Sequence, residues 1–164
     1  MMQETVVTVG QPQVTPTINP AATQSSSVGL RFNIGYFTRP SGILKVIQII
    51  FGIICMACAT PVIAGTGWFM FVAIFSFICT VLWSFAHLFG IREAISPSFN
   101  WGATELFNTA FIVLIYFIAF IVQLALWANL THDDRSRNLA AGSFGIFNFL
   151  AYVAGLYFLY LEYS

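Results

Sequence analysis

Long stretches of this chain carry no charge at all, and they set its architecture. Between Lys45 and Arg92 lie 46 residues without one Asp, Glu, Lys or Arg. A bilayer-crossing helix needs about 20 apolar residues, so this run predicts two helices rather than one. The break is expected at Pro61–Gly67 (PVIAGTG), where a proline and two glycines favour a tight turn. Helix 1 is therefore expected over about 43–63 and helix 2 over about 68–90. From Leu106 to His132 a further uncharged run of 27 residues predicts helix 3 over about 104–127. Asn138 to Leu161 predicts helix 4 over about 138–161.

Residues 1–30 are different. Half of the six prolines fall in the first twenty residues, among Thr, Gln, Ser and Asn, and Glu4 is the only charge. No helical or strand period survives there, so a disordered tail is expected. A basic start followed by an apolar core is missing, which argues against a signal peptide. Met1-Met2-Gln3 lacks the glycine that N-myristoylation requires. Residues 31–42 (RFNIGYFTRPSG) mix Arg, aromatics and glycine, as an interfacial lead-in to helix 1 does. The expected organisation is a tail over 1–30 and a four-helix membrane domain over 31–164.

Each helix sets its small and polar residues on one face. Helix 1 carries Lys45, Gln48, Gly52, Cys55 and Ala59; helix 2 carries Ala73, Ser76, Thr80, Ser84 and His87. Helix 3 carries Glu105, Asn108, Ile112, Tyr116, Ala119 and Gln123, and helix 4 carries Ala141, Gly145, Asn148, Tyr152 and Gly155. These steps of three and four keep one side of a helix. Lipid tails are as apolar as leucine, so helices associate through small residues and hydrogen bonds, and these stripes are expected to face inward. The opposite faces are mostly Phe, Ile, Leu and Val, with Phe149 among the expected lipid-facing positions. The fold class expected is all-α: an integral membrane antiparallel four-helix bundle with a disordered N-terminal tail.

Composition agrees with this and narrows the function. The chain is 59% hydrophobic and 7% charged, with six Lys+Arg against six Asp+Glu. That leaves too few charges to cover a water-facing surface. A net charge of zero gives no basic face for nucleic acid. Three cysteines make no secreted disulfide framework. Cys55 and Cys58 lie mid-bilayer without histidine or a second cysteine pair, so they read as small packing residues, and no metal or cofactor is expected. Phosphate loops, nucleophile elbows and metalloprotease pairs are all missing, so catalytic residues are not expected either.

Lys and Arg in the short flanks orient the bundle. Arg31, Arg39, Lys45 and Arg92 fall on one side, Arg135 and Arg137 on the other, which favours both termini in the cytoplasm. Trp68 and Trp127 are expected in the outer aromatic belt, and Trp101, Tyr157, Tyr160 and Tyr163 in the inner one. Asn129-Leu130-Thr131 is a glycosylation sequon, set close against the membrane. Lys45, His87, Glu105 and Glu162 gather at the cytoplasmic helix ends. A proton path would need acids deeper in the bilayer, and residues 109–128 offer only Gln123. An interface-level cluster in which Lys45 pairs with Glu105 or Glu162 is the expectation.

The arrangement resembles the MARVEL domain, the four-helix module shared by MAL, plasmolipin, physins, occludin and chemokine-like factor relatives. Ser41–Gly52 (SGILKVIQIIFG) resembles their first-helix opening, with a basic residue followed by a polar one. Helix 3 resembles theirs in opening with Glu105 and Asn108, and helix 4 in Ala140–Gly145 (AAGSFG) followed by Tyr152. The likeness spans about 36–163, and the short outer loops place it nearer the MAL and chemokine-like factor branches than occludin. The resemblance implies a non-enzymatic organiser of membrane in vesicle trafficking, apposition or fusion at specialised membrane domains of the plasma membrane or vesicles. Its expected partners are membrane lipid, including cholesterol, other membrane proteins and further copies of the chain. Leu30, Tyr36 and Arg39 also fit a loose cholesterol-contact pattern. The rival reading is a small transporter or channel subunit that uses the polar bundle core.

Overall fold

Prolines and chain-end hydrogen bonds decide where each helix starts and stops. The computed structural model describes residues 33–91 and 100–164. A single 3-10 turn, Ile34–Thr38, leads into helix α1 (Pro40–Cys58), whose first residue is Pro40. Proline suits that position, because its missing N–H would have no helical partner anyway. The helix ends three residues before Pro61, and Ala59 is already extended (φ −73°, ψ 126°). Proline disfavours helical backbone in the residue before it. Helix 1 therefore stops short of the expected residue 63, and the turn occupies 59–63.

Helix α2 (Ala64–Leu88) begins earlier than expected. Gly65 and Gly67 belong to its first turn rather than to the loop, and the Gly67 N–H donates to the Ile63 carbonyl at 3.1 Å. At its far end Gly90 takes a positive φ of 61°, a left-handed stop that glycine adopts without steric cost. Helix α3 (Trp101–Ala128) is capped by the Asn100 side chain, which accepts from the Ala103 N–H at 3.1 Å. Helix α4 (Arg135–Tyr163) begins three residues before the expected Asn138. Arg135 donates to the Trp127 and Ala128 carbonyls at 3.2 and 2.8 Å, satisfying the end of α3 and closing a tight corner.

Among the described residues, these four helices are long and apolar enough to cross a membrane. They form an antiparallel ring in which α2 and α4 each pack on both α1 and α3. Arg39 and Glu162 meet at 3.4 Å, so the start of α1 and the end of α4 lie at one end of the bundle, called here the terminal end. The core runs from Cys55, Phe69 and Ala73 through Ile112, Tyr116 and Ala119 to Ala141 and Tyr152. Ile50, Ile78, Leu82, Phe107, Leu114, Phe147 and Leu150 are exposed, as lipid-facing side chains should be.

Two aromatics depart from expectation. Trp127 has no exposed surface, so it is not a belt residue. Its indole N–H turns inward to the Thr66 hydroxyl at 2.6 Å. Phe149 is half-buried, its ring 5.6 Å from that of Phe117 and 5.3 Å from that of Phe120, and so packs between helices rather than in lipid. The expected tail over 1–30, Arg31, Arg92 and the 2–3 loop at 92–99 lie outside the described residues.

Candidate functional site

The inward stripes make a polar axis along the bundle, and its charged groups collect at the terminal end. There α1 supplies Lys45, α2 its last-turn His87, and α3 Glu105 from its second turn. Glu105 has no exposed surface, and Lys45 and His87 are each below a tenth exposed. One Glu105 oxygen, Oε1, lies 2.7 Å from Lys45 Nζ, and the other, Oε2, lies 2.9 Å from His87 Nε2. Both carboxylate oxygens are therefore engaged, by groups from two other helices. A buried carboxylate without partners would be costly, and this pairing offsets its lost hydration. The Thr109 hydroxyl donates to the Glu105 carbonyl at 2.8 Å, on the same face.

Of the two partners open to Lys45, the structure chooses Glu105. Glu162 instead meets Arg39 and accepts from the Ser41 hydroxyl at 3.3 Å. Tyr36, from the 3-10 turn, lies flat on the His87 ring, with centroids 4.1 Å apart and planes within 5°. Burial first, and then the nearby Glu105 charge, push the Tyr36 phenol far above its usual range, against a smaller opposing effect of Ser41. A crevice lined by Ser41, Lys45, Gln48, Thr109, Gly155 and Leu159 adjoins the cluster and has room for about one water.

Deeper, the polar residues bond to one another across helices. Gln48 Nε2 donates to the Ala151 carbonyl at 3.1 Å. Thr80 and Tyr152 share a 2.7 Å hydroxyl bond, Tyr152 reaches the Ser76 carbonyl at 3.2 Å, and Ser84 returns to the Thr80 carbonyl at 2.7 Å. Asn148 Nδ2 donates to the Tyr116 hydroxyl at 3.0 Å. At the opposite end Gln123 Nε2 donates to the Asn138 side-chain oxygen at 3.1 Å, which also accepts from the Thr60 N–H at 3.0 Å. One asparagine thereby joins α3, α4 and the 1–2 turn.

Glycines let the helices approach. A methyl group at Gly145 would lie 2.9 Å from the Phe69 ring, and at half-buried Gly155 it would lie 2.8 Å from Gln48 Nε2. Gly52 is looser, with Phe77 at 3.6 Å. Cys55 is buried, its thiol 3.7 Å from the Ala141 carbonyl.

One residue expected on the inward stripe sits elsewhere. Asn108 is half-buried, and Thr109 takes the inward position between Glu105 and Ile112. Asn129 is exposed at the end of α3, its amide tied back to the Ala125 carbonyl at 3.3 Å. Tyr36, Thr66, Trp127 and Asn138 join the interior without having been read there. Their only signal in the sequence is a polar atom near a helix end, which serves lipid headgroups equally well.

Among the described residues no group of three or more His, Cys, Asp or Glu side chains converges as a metal site. The family model for MARVEL, described as a membrane-associating domain, matches residues 36–158. No solved structure matches the chain.

Proposed function

The chain belongs to the MARVEL family of membrane-associating domains and is a multi-pass membrane protein; from that premise we propose that it organises membrane in vesicle trafficking, apposition or fusion, without turning over a small substrate. The observation that carries this reading is where the interior polar groups go. Gln48, Thr80, Tyr116, Gln123, Asn148 and Tyr152 bond to residues of the bundle itself, and the charged cluster is paired within it. Groups spent on joining helices favour a packed scaffold over a lumen. Among the described residues, the surface left for partners is mostly apolar along the helices and more polar at the two ends. Membrane lipid including cholesterol, other membrane proteins and further copies of the chain are the partners such a surface fits.

The proposed membranes are the plasma membrane or vesicles, with both termini in the cytoplasm. What supports the orientation is the balance of Lys and Arg in the flanks, Arg31, Arg39, Lys45 and Arg92 against Arg135 and Arg137. Terminal tags should be protected from added protease in sealed cells, and cleavage of either one contradicts the orientation. Deleting the protein from its native cell should mislocalise other membrane proteins or stall a vesicle or fusion step. Normal distribution of membrane proteins together with unimpaired vesicle and fusion traffic would sink the functional reading.

A further inference from the structure

The terminal end of the bundle is closed by something that is not one of its four helices. Pro40 keeps α1 from running back into the preceding segment, and Arg39 is extended (ψ 152°) just before it. The chain then folds across the helix ends so tightly that a side chain at Gly42 would collide with the Tyr36 carbonyl. The Asn33 N–H reaches the Leu88 carbonyl at 2.9 Å, fixing the far side of the turn to the end of α2. Between these points Tyr36 drops inward and covers His87.

We propose that the turn Ile34–Thr38 is a plug, held over the Lys45–Glu105–His87 cluster by Tyr36 and able to lift away while the four helices stay in place. Tyr36 is 5% exposed, whereas Ile34 is 69% exposed and Gly35 and Thr38 also face outward. Among the described residues, Tyr36 is thus the one fully buried side chain of the turn, with Phe37 half-buried beside it. The plug's other side-chain tie, Arg39 to Glu162, is a 3.4 Å pair with a largely exposed arginine, and such pairs contribute little. Short 3-10 turns have poor internal hydrogen-bond geometry, and segments with few buried contacts open at low free-energy cost. What lies beneath is the opposite: charged and protonable groups on three helices, with the Tyr36 ring over the one that α2 supplies, His87. Lifting the plug hydrates His87 first, because the Tyr36 ring covers its face, and then Glu105 behind it.

The test is site-resolved histidine modification by diethyl pyrocarbonate, on the full-length protein in nanodiscs. His132 is half-exposed and serves as the internal reference. In the wild type His87 should react at least about tenfold more slowly than His132, the protection a closed segment gives. Tyr36→Ala should raise the His87 rate severalfold, while Tyr36→Phe, which keeps the stacked ring, should not. Backbone amide exchange in α2 and α3 should match the wild type in both variants. An unchanged His87 rate in Tyr36→Ala overturns the proposal, and so does a rise accompanied by faster exchange of those helices. Should that variant fail to fold, amide exchange in the wild type decides. Residues 33–39 should then exchange independently of 43–58, and a single shared rate overturns the plug.

Discussion

Glu105 concentrates the electrostatic risk in this molecule, because it is buried and faces both Lys45 and His87. Removing one member of a buried pair leaves the other charged and desolvated, at about 3–5 kcal/mol. Glu105→Leu and Lys45→Met should each lower stability in detergent by an amount of that order, read as a drop in thermal midpoint. The double variant should recover part of the loss, since it strands neither charge of the Lys45–Glu105 pair, although it leaves His87 without its Glu105 partner. Losses that simply add would mean that the 2.7 Å contact contributes no coupling. Lys45 is the better probe of the pair, for its removal leaves the His87 to Glu105 hydrogen bond intact. At the same scale Trp127 illustrates how a side chain's environment overrides its type. An indole near a helix end favours the interface, yet the Thr66 hydroxyl opposite it draws the N–H inside.

Gly145 and Gly52 both lie on inward stripes, but only one sits where helices touch closely. A methyl group at Gly145 meets the Phe69 ring at 2.9 Å and the Phe120 Cβ at 3.3 Å. Gly145→Ala should therefore cost about 1–3 kcal/mol through overpacking, and Gly145→Leu more. Gly52→Ala meets ordinary contacts and should be neutral or slightly stabilising, as alanine is the better helix former. Phe147→Leu, on the exposed face, is the control that should leave stability unchanged. Equal thermal midpoints for Gly145→Leu and Phe147→Leu would contradict the packing. The four helices were legible because long uncharged runs and prolines leave few alternatives in a bilayer. The facing of Gln48, Thr80, Tyr152 and Asn148 follows from steps of three and four, the steps that hold one side of a helix. Phase along α3 was harder to read. Asn108 and Thr109 are both polar and adjacent, and only contact with the other helices separates them. Asn138 and Tyr36 act through partners far away in the chain, Thr60 and His87, which no local pattern pairs with them. Phe149 fails for a related reason, because a phenylalanine suits lipid and a helix seam equally.

Taken whole, the molecule joins a lipid-facing exterior of Ile, Leu and Phe to an interior whose hydrogen bonds run from helix to helix. The end-level cluster of Lys45, His87 and Glu105 is the feature that a transporter would most plausibly use. In the packed reading it stabilises the bundle and moves nothing. The direct measurement is flux through purified protein in liposomes loaded with protons, ions or a small solute, with an ionophore to show that the vesicles are sealed. The expected result is flux equal to that of protein-free liposomes, in the wild type and in His87→Ala alike. Flux above that background, abolished by His87→Ala or Glu105→Gln in protein that still folds, would contradict the scaffold reading and put a transporter in its place.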